Sequence, residues 1–342
     1  MNNPFSLIFG KNPKLSIDRP VEKNEIIESF SSETINQQIY LITAIRGSGK
    51  TVLMTEISEY FKSKNNWLVV ELNPEIDMRS SLLSKLNSIA GTMIKNININ
   101  LSFFNIFTIG ANLENKITDI ETAICKVLEH LKKRNIRVLI TIDEVVKNKN
   151  TKIFSSMFQI LVRNDLPVFL LMTGLYDNIK NLQDEKTLTF LYRAPRINLE
   201  PLNLNLIALK YQEVFNLTEA EAKKMAKLSG GYAFGFQALG YLTVKHNGDY
   251  KKAINEYKIY LEEYSYDKIW SELSENDKNL IISIAKTKSK LVKDIMTCCN
   301  LDNNHFNPYR KRLINKGIVD GSHRGKLTFV LPLFEEYVLE NS

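Results

Sequence analysis

The sequence predicts an α/β fold: a parallel sheet covered by helices, then a small helical bundle, then three short helices and a hairpin. Three observations carry this. Near-continuous apolar strands alternate with helical segments over the first 200 residues, as in a sheet buried on both faces. The segment "YLITAIRGSGKTV" (40–52) breaks an apolar run with a Gly-Ser-Gly-Lys-Thr turn and resumes as a helix. From about Leu202 the strand signals stop.

The elements follow in order. Residues 1–37 form a lead-in, with a helix in "SIDRPVEKNEIIESF" packing through Ile26, Ile27 and Phe30. "QIYLITAI" is a strand and "KTVLMTEISEYFKSK" a helix with Val52, Leu53, Ile57 and Phe61 on its apolar face. "NWLVVELN" and "SSLLSKLNSIA" repeat strand and helix; "RVLITID" and "PVFLLMTG" are further strands, the first preceded by the helix "ITDIETAICKVLEHLKKR". Residues 96–112 alternate like a hairpin or extended insertion and take no assigned role. A fifth strand begins at Arg196. "LNLIALKYQEVF", "EAEAKKMAKLSG" and "AFGFQALGYLTVKH" are a helical bundle, the Gly230–Gly231 pair ending one helix. "SENDKNLIISIAKT", "KLVKDIMTCCN" and "NPYRKRLINKG", followed by two strands around "DGSHRGK", have winged-helix order. The expected domains are residues 1–201, 202–270 and 271–342.

Composition excludes several classes. The longest apolar runs, such as "VFLLM" at 168–172, are strand-length, against roughly 18 residues for a membrane helix, so no membrane partner is expected. The N-terminus lacks a basic start followed by an apolar block, so no export signal is expected. Cys125, Cys298 and Cys299 lack zinc spacing; the adjacent pair reads as buried helix residues, and a reducing cytoplasm fits. The net charge of +7 is localised: residues 286–326 hold ten Lys/Arg against three Asp/Glu, leaving 35 of each elsewhere.

The turn matches the phosphate-loop pattern G-x-x-x-x-G-K-[ST] over Ala44–Thr51, with Ala44 in place of the first glycine. Small residues let backbone N–H groups curl around phosphates, and the next helix points its positive end at them. Arg46, Gly47, Ser48, Gly49, Lys50, Thr51 and Val52 are therefore the expected nucleotide-binding residues. Lys50 would neutralise the β- and γ-phosphates of ATP, and the Thr51 hydroxyl would ligate Mg2+. "VLITIDEV" is a buried strand ending in Asp143–Glu144, where two adjacent acids are costly unless they serve a cation or a water. Asp143 would bind nucleotide-bound Mg2+ through water, and Glu144 would activate the attacking water. Asn73 at the end of the second strand would restrain Glu144, and Thr173 at the end of the fourth would meet the γ-phosphate or the water; each is equally an ordinary strand-end residue. Arg193 would reach the nucleotide of a neighbouring copy, whereas Arg196 reads as a surface ion pair.

The set "AIRGSGKT", "VLITIDEV", "LLMTG", "FLYRAPRINLEPL" and "LSGGYAFGFQALG" resembles the AAA+ ATPases. It is most similar to the branch shared by replication-initiator ATPases and signal-transduction ATPases with numerous domains. The resemblance spans roughly residues 18–340 and implies an ATP-binding core, a helical lid and a C-terminal winged helix. One departure stands out. Initiator-type lids carry a sensor arginine shortly after the glycine pair, whereas "GGYAFGFQ" offers Tyr232, Phe234 and Phe236. That points to slow, switch-like turnover, with the aromatics also packing the lid.

In a winged helix the last helix enters the major groove and the wing touches the backbone. Arg310, Lys311 and Arg312 on that helix, with Arg324 and Lys326 on the wing, form the expected double-stranded DNA contact. His305, His323 and Lys316 lie in the same segment. The alternative is that this domain contacts a protein partner or its own nucleotide, through His323 or His305, as the resemblance to signal-transduction ATPases implies.

Overall fold

The computed structural model describes residues 3–8, 10, 12–93 and 113–342, with side chains described outside 90–93 and 113–119. The 96–112 segment lies outside the described residues. The chain forms two compact units, one of residues 21–42 and 54–197, the other of residues 1–20, 43–53 and 198–342.

The first unit holds the sheet. In chain order its elements are α1 (Pro20–Ser31), β1 (Ile39–Thr43), α2 (Lys50–Lys62), β2 (Trp67–Leu72), α3 (Met78–Met93), α4 (Leu113–Lys132), β3 (Arg137–Ile142), α5 (Lys149–Arg163), β4 (Val168–Gly174), α6 (Tyr176–Gln183), α7 (Thr189–Tyr192) and β5 (Arg196–Asn198). Strand order is β2-β3-β4-β1-β5, with β2, β3 and β4 paired parallel in continuous register. Every residue of β1 and β4 is buried, whereas β2 and the three-residue β5 alternate with exposed positions. Burial thus separates central strands from edge strands, because only central strands are covered on both faces.

The two faces have separate cores, since successive strand residues point to opposite sides. Val138, Ile140 and Ile142 of β3 and Val168, Leu170 and Met172 of β4 pack with Leu82, Leu86, Ile124, Leu128, Phe154 and Phe158 of α3, α4 and α5. On the other face Phe169 meets Phe30 of α1 and Trp67 of β2, which in turn meets Phe61 of α2. Asn148 caps α5 by accepting from Thr151 N–H at 2.8 Å, so the turn after β3 ends at a defined residue.

The second unit carries α8 (Leu204–Phe215), α9 (Glu219–Ser229), α10 (Ala233–Lys245), α11 (Tyr250–Leu261), a π-helical turn (Glu262–Tyr266), α12 (Asp267–Ser271), α13 (Glu275–Lys286), α14 (Val292–Cys299), α15 (Asn303–Asn315), the antiparallel pair β6 (Val319–Asp320) and β7 (Thr328–Phe329), and α16 (Phe334–Glu340). A capping box between Thr218 and Glu221 starts α9, and Gly230, left-handed at φ 59°, ends it. One core runs through all of these helices and includes Phe5, whose ring stacks on Phe215 with centroids 5.7 Å apart.

Two local expectations shift. The basic helix α15 starts at Asn303, capped by Asp302, and Pro308 lies inside it rather than at its start. The carboxylate of Asp302 accepts from His305 N–H at 2.9 Å, a stronger start signal than the proline. The cysteine pair does end α14, but Cys298 is exposed and Cys299 half-buried, both as free thiols. Among the described residues no His/Cys/Asp/Glu cluster suits a metal, and no helix is long and apolar enough to cross a membrane.

Candidate functional site: a phosphate loop and a strand-end acid pair

The glycines of "RGSGK" take positive φ, 73° at Gly47 and 90° at Gly49, curling the loop before α2 begins at Lys50. Thr51 and Val52 follow in the first turn of that helix. Lys50 is buried, and its Nζ donates to the carbonyls of Ala44 and Ile45 at 3.1 Å each, which curls its side chain back over the loop. Helix start, positive-φ glycines and a buried ammonium together make an anion-binding geometry.

The loop, residues 43–53, belongs to the second unit, and partners from elsewhere in that unit close on it. The Tyr232 hydroxyl donates to Arg46 O at 2.8 Å, and Phe234 N–H donates to Gly47 O at 2.9 Å. Arg19 Nη2 donates to Ser48 O at 3.3 Å. The Arg46 guanidinium meets the Glu272 carboxylate at 2.7 Å. A Cβ at Gly47 would run into the Tyr232 hydroxyl, so this position is limited to glycine by packing as well as by φ. Burial raises the Tyr232 pKa far above the ordinary tyrosine value, which keeps the hydroxyl a donor. None of these partners was assigned a contact from sequence. Tyr232 had one visible signal, its place directly after the glycine pair; Arg19 and Glu272 had none.

In the sheet unit, the Thr173 hydroxyl donates to Asp143 Oδ1, and Glu144 N–H donates to the same oxygen at 3.0 Å. Val145 N–H donates to Thr173 O at 2.8 Å, tying the turn after β3 to the end of β4. Thr173 is fully buried, Asp143 half-buried and Glu144 exposed. Glu144 sits at φ 49°, a left-handed conformation that a non-glycine residue adopts at a cost. The Asn73 side-chain oxygen accepts from Glu75 N–H at 2.9 Å and closes its own turn. Glu185 draws in Lys152 at 2.7 Å and Lys147 at 2.9 Å, and those two hydrogen bonds pull its pKa down to about 2.

The arginines before and in β5 differ. Arg193 is exposed and makes no ion pair among the described residues. Arg196 lies over the Tyr176 ring, 5.0 Å from its centroid, a cation–π contact, and has no ion pair among the described residues.

The basic residues of the C-terminal segment divide too. Lys311, Arg324 and Lys326 are exposed. Arg312 donates to the buried Asp277 through Nε at 2.9 Å and Nη2 at 2.5 Å, with Lys316 3.4 Å from the other oxygen. Arg310 is half-buried, one guanidinium nitrogen lying beside Gly321, which follows β6.

A family model described as a domain of unknown function (DUF8462) matches residues 263–338. The comparison with curated proteins finds no match. Among solved structures, the chain is similar to the Walker-type ATPase PABY2304 of Pyrococcus abyssi at 15% identity, covering 95% of this chain and 96% of that one with TM-score 0.62. It is also similar to the ORC2 protein of Aeropyrum pernix, solved as ADPNP–ADP complexes, at 14% identity, covering 98% and 96% with TM-score 0.57. The likeness to both is one of fold: a five-stranded parallel sheet flanked by helices and followed by a helical C-terminal region.

Proposed function

We propose that this chain is an ATP-binding, slowly hydrolysing AAA+ ATPase whose nucleotide state controls DNA binding. Residues 1–201 are read as the nucleotide domain, 202–270 as the lid and 271–342 as a winged helix. The observation that carries the reading is the Asp143–Glu144–Thr173 cluster at the ends of β3 and β4, together with a phosphate loop that follows β1. Arg46–Val52 hold the phosphates, Thr51 and Asp143 bind Mg2+, Glu144 activates water and Lys50 neutralises phosphate charge. Mg2+ suits the donors present, a hydroxyl and a carboxylate being hard oxygen ligands, and ATP suits the glycine turn with its buried Lys50. The Mg2+ ion would supply charge neutralisation on the phosphates. Arg193, exposed and without an ion pair among the described residues, serves as a finger toward a neighbouring copy in an oligomer. Lys311, Arg324 and Lys326, flanked by Arg310 and Arg312, contact double-stranded DNA. A membrane has no part in this reading, and the setting is the cytoplasm.

A second reading is a signalling switch whose C-terminal segment responds to the nucleotide or to a protein partner. It is favoured by the nearness of Gly317, at the end of α15, to Ile45 of the phosphate-loop segment; a Cβ built at Gly317 would lie 3.9 Å from Ile45 N.

Duplex-DNA anisotropy with ATP, ADP and no nucleotide, across a salt series, separates the two. Wild type is compared with Lys50→Ala, Glu144→Gln and a Lys311/Arg324/Lys326→Ala triple variant. The DNA reading expects nucleotide-dependent binding, with a log–log salt slope about 3 units shallower in the triple variant, for three lost phosphate contacts. Absence of binding in every state gives the lead to the switch reading. Nucleotide binding unchanged by Lys50→Ala, with no ATP trapped by Glu144→Gln, overturns both.

A further inference from the structure

A trans peptide unit points its C=O and the following N–H in opposite directions, and the described chain has no cis peptide bond. Fixing a carbonyl on one side of a loop therefore turns the next residue's N–H to the other. Three consecutive carbonyls of the phosphate loop are fixed by donors from outside it: Arg46 O by the Tyr232 hydroxyl, Gly47 O by Phe234 N–H and Ser48 O by Arg19. The N–H groups of Gly47, Ser48 and Gly49 are thereby turned to the opposite side of the loop, in the arrangement that binds an anion.

Tyr232 is held for this task. It is buried, and its hydroxyl also meets Ser265 Oγ at 2.6 Å. Its single hydrogen goes to Arg46 O, so Ser265 must donate to it. Ser265 lies buried in the π-helical turn between α11 and α12. The ring lies over Gly47, where no larger residue fits.

We propose that Tyr232, with Phe234 N–H and Arg19, is a positioning device that presets the phosphate loop for a nucleoside di- or triphosphate. Nucleotide affinity is thus tied to docking of this helical segment on the loop. Coupling is reciprocal, so bound nucleotide strengthens the same docking. The device takes the place of a lid cation: it acts on the outside of the loop and never touches the phosphate. It rests on the nucleotide-binding reading given above.

The test is nucleotide affinity of the full chain, measured with ATP and with ADP at a temperature where every variant is folded. Tyr232→Phe keeps the ring and removes the hydroxyl, with its hydrogen bonds to Arg46 O and Ser265 Oγ. Tyr211→Phe is the matched control, another fully buried hydroxyl that donates to a backbone carbonyl, Phe236 O at 2.8 Å, away from the loop. Arg19→Ala probes the third carbonyl without opening the core. The expected result is an affinity loss of roughly 5- to 10-fold for both nucleotides in Tyr232→Phe, and about 3-fold in Arg19→Ala. Tyr211→Phe should keep wild-type affinity while losing thermal stability. Turnover should show KM rising with kcat held, because the loop is preset before chemistry. Wild-type affinity in both Tyr232→Phe and Arg19→Ala, or equal losses in Tyr232→Phe and Tyr211→Phe, overturns the device alone. A wild type that binds no nucleotide overturns the underlying reading and the device with it.

Discussion

Thr173, at the end of β4, gives its hydroxyl hydrogen to Asp143, at the end of β3, and Glu144 N–H reaches the same carboxylate oxygen at 3.0 Å. One oxygen of Asp143 is therefore committed to the protein, and its direction is set by a neighbouring strand. A carboxylate restrained in this way offers a cation a fixed geometry, which is the usual role of a hydrogen bond behind a metal ligand. Replacing Thr173 with Val keeps the shape and removes the donor. The expected outcome is a roughly 10-fold or greater rise in the Mg2+ concentration needed for half-maximal hydrolysis, with nucleotide affinity little changed. A Mg2+ titration of turnover checks this; unchanged Mg2+ dependence would assign Thr173 to packing alone.

On the proposed reading, Glu144 sets stability against chemistry. Its φ of 49° costs an L-residue about 1 kcal/mol or more, and glycine does not bear that cost. Glu144→Gly should therefore leave the melting temperature equal or higher while hydrolysis falls by at least roughly 100-fold, the scale of a lost general base. Calorimetry and a phosphate-release assay on the same sample decide it. A large loss of stability would mean that the side chain, not the backbone, holds this turn.

Arg312 and Lys311 are adjacent in sequence and differ in task. Asp277 is buried at 1% exposure of its side chain and depends on Arg312, with Lys316 a weaker second partner. Removing one member of a buried pair costs about 3–5 kcal/mol; the partial exposure of Arg312 and the remaining lysine reduce that here to about 2 kcal/mol. Arg312→Ala is thus expected to lower the melting temperature clearly, and Lys311→Ala to leave it unchanged. Loss of DNA binding in Arg312→Ala would on its own say little about a direct contact, so the salt slope of the Lys311/Arg324/Lys326 variant is the informative quantity.

Glu185 carries a pH signature. Hydrogen bonds from Lys152 and then Lys147 lower its pKa to about 2, from an ordinary value near 4.5. Since the folded value lies below the unfolded one, the stabilisation is fully present above about pH 4.5 and is lost as pH falls toward 2. Glu185→Gln should melt below wild type at pH 7 and converge with it in acid. The difference should also shrink in high salt, because Glu185 holds its lysines near the surface. A constant offset across pH would show that the substitution acts through packing.

Much of this protein is determined by its sequence. The unbroken apolar runs of β1, β3 and β4 and the alternation of strand and helix specify a doubly covered sheet, because hydrophobic period is a local property. The glycine turn before Lys50 and the acids after "VLITI" are legible for the same reason: their geometry follows from neighbouring residues. Of the six elements from α12 to β7, α12 and the true start of α15 were not legible. Asp302 outweighs Pro308 as the start of α15 because a side chain that satisfies a helix N–H contributes more than a residue that merely tolerates the position.

Tertiary structure alone decided the partners. Nothing in "GGYAFGFQ" says that Tyr232 ends on the carbonyl of a residue 186 positions away, that Arg19 reaches Ser48, or that Arg312 belongs to Asp277 rather than to solvent. These contacts depend on how helices pack, and packing is settled by the summed burial of a whole core. A sequence specifies which groups need a hydrogen bond or a counter-charge; only the folded chain determines which of several chemically equivalent groups arrives to supply it.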